Sequence, residues 1–455
     1  MNTTESTISS IAKRILKLAL PMSSQQLITS GSGFLCMAML AQLGHKVLAA
    51  SSLIFATQMT FSTIGLSILF SISLLVSHAD GAKDYAKVGS IMQQGWRFGI
   101  IISIPVMILF WHIGAILICL HQDPTIAAIV QKFFHVFLWG VIPLFLLAAN
   151  NQLCFGVRQQ HLSLKISIAG VLVLLITAYI LIFGKFGAPA LGVQGFAYAM
   201  VLQYVFVLIT TLTCFYRMEF FQKFHLFSRL NQLHRDWKNM KLILALGWPM
   251  SLQISGELLS FFVNTTMIGW LGVHALGAAQ VVGQYQFLCV IPIFALAQAT
   301  SILIGHAVGS KALHEVKRLG YISVGFSVGL TLIFAIIFIS FPKFLASLYI
   351  NVHDPINSSV LHLIVLLFII GSISQIFDAV RNTLTGALRG VLDTRFPMFI
   401  SIGVIWIVGV PLSYFFAFTL ALGIIGIPLG AIAGIIISTI LLFWRWQIMT
   451  RGYNL

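Results

Sequence analysis

Two of the eleven acidic residues in this 455-residue chain, Glu257 and Asp378, sit inside long apolar runs. An ionised carboxylate at the centre of a bilayer costs about 2.5–3.5 kcal/mol or more, so such a residue marks a functional site unless a partner neutralises it. Arg381 follows Asp378 by one helical turn, and a fixed ion pair kept for packing is the plainer alternative. Polar side chains recur around both acids at helical spacing. Gln253, Glu257, Ser260 and Asn264 share one helix face, and Ser374, Gln375, Asp378, Arg381, Asn382 and Thr385 share another. Gln280 and Gln284, with Tyr285 beside them, form a third polar stripe. These faces should line a lobe interior or a wet cavity rather than meet lipid. Two carboxylates far apart in sequence suit a cation or a proton. Sodium would take several oxygens from Glu257, Asp378 and nearby Asn or Gln, whereas a proton needs a carboxylate that burial makes neutralisable.

Elements that position these residues follow from composition. The chain is 59% hydrophobic and 8% charged, against about 25% charged in soluble proteins, which excludes a water-soluble enzyme. Roughly 20 apolar residues in a helix cross a bilayer core about 30 Å thick. Twelve segments reach that length: 15–43, 50–77, 94–120, 128–155, 163–184, 191–216, 240–271, 275–304, 319–341, 358–388, 396–420 and 423–446. They are long, continuous and rich in Leu, Ile, Phe and Ala, so they read as helices rather than barrel strands. Glu257 falls in the seventh and Asp378 in the tenth. Lys13, Arg14 and Lys17 imitate a signal peptide, but the following run is too long and polar, and it reads as a retained first helix. The five cysteines lie in apolar segments without a CxxC pair, so neither a disulfide framework nor a zinc site is expected.

The formal charge is +15. With twelve spans, 21 basic residues fall on the side of the termini and only Lys46, Lys132, Lys185 and Lys343 on the other. The positive-inside rule places both termini in the cytoplasm. Because the charge is spread over seven separate segments, it does not point to nucleic acid.

The chain repeats itself. A shift of 228 residues aligns Leu-Pro-Met-Ser at 20–23 with Trp-Pro-Met-Ser at 248–251, Leu43-Gly44 with Leu271-Gly272, and His78 and Lys83 with His306 and Lys311. Later the shift becomes 231, pairing Arg158 with Arg389 and Leu191-Gly192 with Leu422-Gly423. Each half holds an even number of spans, so the halves are parallel repeats, an arrangement of transporters with a central site. The expected fold is an all-α integral membrane protein of twelve transmembrane helices in two pseudo-symmetric six-helix lobes. The N-lobe covers 1–225, a cytoplasmic linker 226–240 and the C-lobe 241–455. The basic stretch joining them, with Phe220, Phe224, Phe227 and Leu230 at helical spacing, reads either as an amphipathic surface helix or as an irregular basic linker. Gly426, Gly430 and Gly434, four residues apart, allow close helix packing.

Enzyme signals are weak. Gly325-Phe326-Ser327-Val328-Gly329 fits G-x-S-x-G but lacks the strand–turn–helix context of a nucleophile elbow. There is no HExxH and no P-loop, which disfavours direct ATP-driven pumping.

The segments Gly-Glu-Leu-Leu-Ser-Phe-Phe (256–262), Asp-Ala-Val … Gly-Ala-Leu-Arg-Gly-Val-Leu-Asp (378–393) and Phe-Gly-Lys-Phe-Gly-Ala-Pro-Ala-Leu-Gly (183–192) resemble the multidrug and toxic compound extrusion (MATE) family, in its bacterial NorM branch. The resemblance spans all twelve segments. It implies a V-shaped pair of lobes in the bacterial inner (plasma) membrane and cation-coupled export of organic cations, with the family's acidic C-lobe residues matching Glu257 and Asp378. Cys36 stands where the family usually has an aspartate, and two polar positions of the fifth span fall at Leu174 and Ala178, so the N-lobe should lack a cation site. Arg381 is also a departure, and the sequence leaves open whether it neutralises Asp378, which would leave Glu257 as the only free carboxylate. The expected function is therefore a secondary antiporter of organic, cationic compounds, coupled to Na+ or H+ without any other cofactor. Its partners are small organic molecules and the bilayer, and it acts as a monomer. A flippase for a lipid-linked or anionic precursor is the alternative, which would want several basic residues in the cavity. A non-transporting receptor or scaffold would leave the intramembrane acids unexplained.

Overall fold

A computed structural model describes residues 8–227, 237–351, 354 and 357–454. Among them there is helix and no strand. Twelve long helices run in chain order: α1 (Ile8–Ala41), α2 (His45–Gly81), α3 (Tyr85–Trp111), α4 (Pro124–Gly156), α5 (Gln160–Phe183), α6 (Val193–Arg217), α7 (Trp237–Trp270), α8 (Val273–Gly309), α9 (Leu313–Ser340), α10 (Ser358–Gly390), α11 (Arg395–Thr419) and α12 (Gly423–Thr450). Eleven are apolar and long enough to cross a membrane. The other, α1, has 34 residues but carries Ser23, Ser24, Gln25, Gln26, Thr29, Ser30 and Ser32 along its middle. The third apolar run divides at His112, where α3 ends and a short helix, Ile113–Cys119, begins.

The chain forms two compact units, residues 24–251 and residues 1–23 together with 252–455. The cuts fall inside α1 and α7, each two residues after a proline, Pro21 or Pro249, and they are 228 residues apart like the repeat itself. Proline removes one i→i−4 hydrogen bond. The first turns of each of these helices thus pack with the other half of the chain, and the compact units differ there from the sequence division at 225 and 241. In the 24–251 unit, Ser251 Oγ donates to the Ile64 carbonyl (2.8 Å), Ser71 Oγ donates to that of Ile243 (3.0 Å) and Asn239 Nδ2 donates to Ser90 Oγ (2.8 Å). In the other unit, Arg14 pairs with Glu315 at 3.1 Å.

Equivalent backbone features recur in both halves. Gly44 and Gly272 share φ values of 111° and 105°, and Lys83 and Lys311 share 59° and 60°. A Cβ on Gly156 at the end of α4 would lie 2.6 Å from Val76, and one on Gly390 at the end of α10 would lie 2.8 Å from Ile304. The left-handed residues just beyond are Arg158 and Leu392. Here the shift is therefore 234, and Arg158 corresponds to Leu392, not to Arg389 as the sequence alignment suggests.

Part of the joining segment, 228–236 with Leu230, lies outside the described residues. Before it, a single helical turn at Glu219–Gln222 leads into bends, and Phe221, Phe224 and Leu226 are buried. Aromatic rings therefore anchor this stretch inside the 24–251 unit: Phe221 packs on Phe215, and Phe224 on Tyr85. It is not a helix laid along the surface up to Phe227. In the other unit, α11 contains two wider, five-residue π turns, Ile405–Gly409 and Phe415–Thr419, on either side of Pro411. Gly426, Gly430 and Gly434 of α12 pack against α11, touching Ala417, Ser413 and Gly409. Their spacing serves packing, as a small-residue stripe should.

Candidate functional site

Both acids point at one guanidinium. Arg381 Nη1 lies 2.8 Å from Glu257 Oε1, and Nη2 lies 2.8 Å from Asp378 Oδ1, to which Nε also donates at 2.9 Å. The Arg381 and Asp378 side chains meet because they are one turn apart on α10, while Glu257 reaches them from α7. Asn382 holds the other Asp378 oxygen: its Nδ2 donates to Oδ2 at 2.8 Å and to the Asp378 carbonyl at 2.9 Å. Gln253, one turn before Glu257, donates to Glu257 Oε1 and to Ser401 Oγ of α11, both at 3.1 Å. Arg381 Nη1 also lies 3.3 Å from Ser401 Oγ. Trp406 Nε1 donates to the Gly256 carbonyl at 3.3 Å, tying the turn around Glu257 to α11.

A second guanidinium completes the cluster. Arg389, two turns beyond Arg381 on the same face, is 9% exposed and donates to Gln253 Oε1 at 2.9 Å. Two carboxylates thus share a cluster with two guanidiniums, and the formal charges balance. Burial is uneven: the Arg381 side chain is 7% exposed, but those of Glu257 and Asp378 are 28% and 19% exposed. The carboxylates are therefore more exposed than the guanidinium that holds them.

The sequence leaves open whether Arg381 neutralises Asp378; in the structure the fork of the guanidinium binds both Asp378 and Glu257. Its five donors make this possible where a lysine would offer a single point charge. Arg389 is one of the 21 basic residues that the sequence places on the side of the termini. Arg158, with which the sequence pairs it, is exposed just past the end of α4, whereas Arg389 is buried in the last turn of α10. Its spacing of eight from Arg381, through Thr385, is the signal that could have found it.

Of the other candidates, Ser260 and Gln375 are buried, and Asn264 is partly buried with its side-chain oxygen unpaired. Tyr285 belongs elsewhere. Its hydroxyl donates to the Leu345 carbonyl at 2.9 Å and its ring packs on Phe338, Phe368 and Tyr349. Gln280 and Gln284 are exposed on the surface of their unit and do not join the acids. Gln286, which the sequence reading passed over, is the α8 amide that packs against α10, at Gly371.

In the 24–251 unit, Cys36, Leu174 and Ala178 are buried. Neutral groups meet between α1, α4 and α5: Gln25 Nε2 donates to Ser167 Oγ at 2.8 Å, and Ser163 Oγ lies 2.6 Å from Asn151 Oδ1. No group of three or more His, Cys, Asp or Glu residues that could hold a metal occurs among the described residues.

The MatE family model matches this chain twice, over residues 21–180 and 249–415, again 228 residues apart at their starts. The chain belongs to the MatE family. It is a multi-pass membrane transporter and not an enzyme. A probable multidrug resistance protein NorM of Synechocystis is 27% identical over 98% of this chain and 96% of its own length. A protein so named in Rhizobium meliloti is 28% identical over 96% and 93%. Among solved structures, a Vibrio cholerae MATE transporter is 20% identical, with 99% of each chain covered and a TM-score of 0.89. A MOP superfamily transporter from Pyrococcus furiosus is 15% identical, with both chains fully covered and a TM-score of 0.85. At these identities the solved structures share the fold. Neither of the polar networks just described follows from that likeness, since side-chain identity is what differs.

Proposed function

We propose that this MatE-family transporter is a secondary antiporter that exports organic, cationic small molecules in exchange for an inward-moving cation, sodium or a proton. The observation that carries the reading is the buried Glu257–Arg381–Asp378 bridge on α7 and α10. With Arg389 beside it the charges balance when both carboxylates are ionised, and the more exposed members are acids. Cation binding at either carboxylate leaves the cluster positive. At an effective dielectric constant near 20, one added charge raises the energy of a cationic substrate 8 Å away by about 2 kcal/mol, or on the order of thirtyfold in affinity. Coupling ion and substrate would then exclude one another, which is what antiport requires. The names of the NorM relatives support small-molecule export. We assign the protein to the plasma membrane as a monomer, and the basic-residue asymmetry supports placing both termini in the cytoplasm.

Arg389 supports a second reading, export of an anionic or lipid-linked compound, because it adds a buried positive charge to that of Arg381. The Pyrococcus furiosus neighbour is described as having a binding pocket of reverse polarity that suggests a different function. Reconstitution in liposomes separates the two. Cationic dyes should be moved by an imposed ion gradient in the wild type, and Glu257→Gln should abolish this while leaving expression intact. Gradient-driven transport of anionic dyes alone would favour the second reading.

A further inference from the structure

We propose that Arg381 is a resident counter-cation: its guanidinium fills the cation position between Glu257, Asp378 and Ser401, excludes sodium, and leaves the proton as the coupling ion. The inference rests on the antiport reading above and decides between its two ions.

The geometry assigns the oxygens. Glu257 Oε1, Asp378 Oδ1 and Ser401 Oγ converge from three helices, and each already lies within 2.8–3.3 Å of an Arg381 nitrogen. Asp378 Oδ2 is taken by Asn382, and Gln253 Nε2 shares Glu257 Oε1. A hard cation binds by gathering several oxygens around itself. Here the gathering has been done by a group fixed to α10. A sodium ion would have to displace a guanidinium that is 7% exposed and bound to both carboxylates. Removal of a buried guanidinium from its two carboxylates is among the most costly changes such a cluster can undergo.

A proton makes no such demand. It needs one lone pair on one oxygen. Among the described residues, Glu257 Oε2 accepts no hydrogen bond from the protein, and the side chain is 28% exposed. A proton from water can bond to Oε2 while Oε1 keeps its contacts. The charged groups facing Glu257 are Arg381, Asp378 and Arg389, all from α10; α11 contributes the neutral Ser401 and α7 the neutral Gln253. Once Glu257 is protonated, its hold on Arg381 falls from an ion pair to a hydrogen bond, and Arg381 is held by Asp378 through both Nε and Nη2. When the proton returns to water, the bridge re-forms. Arg381 is on this account a specificity-determining residue for the coupling ion.

The test is binding of radiolabelled sodium to the purified full-length protein in detergent, at neutral pH with choline chloride as the balancing salt. The wild type should bind no sodium saturably. Arg381→Gln, which vacates the ring of oxygens and keeps an amide, should gain saturable sodium binding that unlabelled NaCl displaces and choline chloride does not. Failure of Arg381→Gln to bind sodium in folded protein would overturn the proposal. If that variant does not fold, the wild type decides alone: saturable sodium binding that disappears in Glu257→Gln overturns the proposal, and its absence supports it. In liposomes, a pH gradient and not a sodium gradient should drive export by the wild type. Absence of all gradient-driven export would instead count against the antiport reading and leave the sodium-binding result standing.

Discussion

The double variant Asp378→Asn with Arg381→Gln should destabilise the protein far less than the sum of the two single changes. Arg381 donates twice to Asp378, at 2.8 and 2.9 Å, and once to Glu257 at 2.8 Å. Stripping one partner from a buried ion pair costs about 3–5 kcal/mol, because the other charge is left without compensation. In Asp378→Asn the guanidinium keeps Glu257, and the Asp378 side chain is 19% exposed, so the lower figure of about 2 kcal/mol is expected. Arg381→Gln leaves two carboxylates facing Arg389 alone, and about 3 kcal/mol or more is expected. The double variant removes one charge of each sign and restores the balance, so its cost should also be about 2 kcal/mol, giving a coupling near 3 kcal/mol. Unfolding in mixed micelles with increasing SDS, followed by tryptophan fluorescence and far-UV circular dichroism, measures all four corners of the cycle. If the double variant loses the sum of the two single losses to within about 0.5 kcal/mol, the bridge is not the unit described here.

Cys36→Ser should leave transport unchanged, because neither side chain supplies a carboxylate and the new hydroxyl can bond to the Ser32 carbonyl one turn back in α1. A cost of about 1 kcal/mol or less is expected, read as folded yield alongside an efflux rate; lost efflux at normal yield would restore a role to this helix. Gly430→Ala drives a Cβ into the Ser413 backbone and should cost about 1–3 kcal/mol, whereas Gly277→Ala, with nothing within 4 Å, should leave the unfolding midpoint in place.

Much was legible in the sequence because it depends on local rules. Length and hydropathy set the helices, since a bilayer leaves the backbone no other way to satisfy its own hydrogen bonds along a single segment. The 228-residue repeat carried through to the cuts between compact units and to the paired left-handed residues Lys83 and Lys311, because turn geometry is dictated by a few consecutive residues. Helical spacing placed Asp378, Arg381 and Asn382 on one face for the same reason. What lay beyond the sequence was every contact between helices. That Glu257 of α7 meets Arg381 of α10 rather than standing free depends on how two helices 124 residues apart are set against each other. Tyr285 shares a polar spacing with Gln284, yet its ring goes to the aromatic cluster and the glutamine to the surface, since spacing names a face and not the neighbour that covers it. Arg389 shows the limit most clearly. Aligned by residue type it matches Arg158, but Gly156 and Gly390 each need an empty Cβ position against Val76 and Ile304, and that packing sets the register three residues away. One helical turn separates a basic residue exposed beyond a helix end from one buried beside two carboxylates, and only the tertiary contacts of a glycine decide which it is.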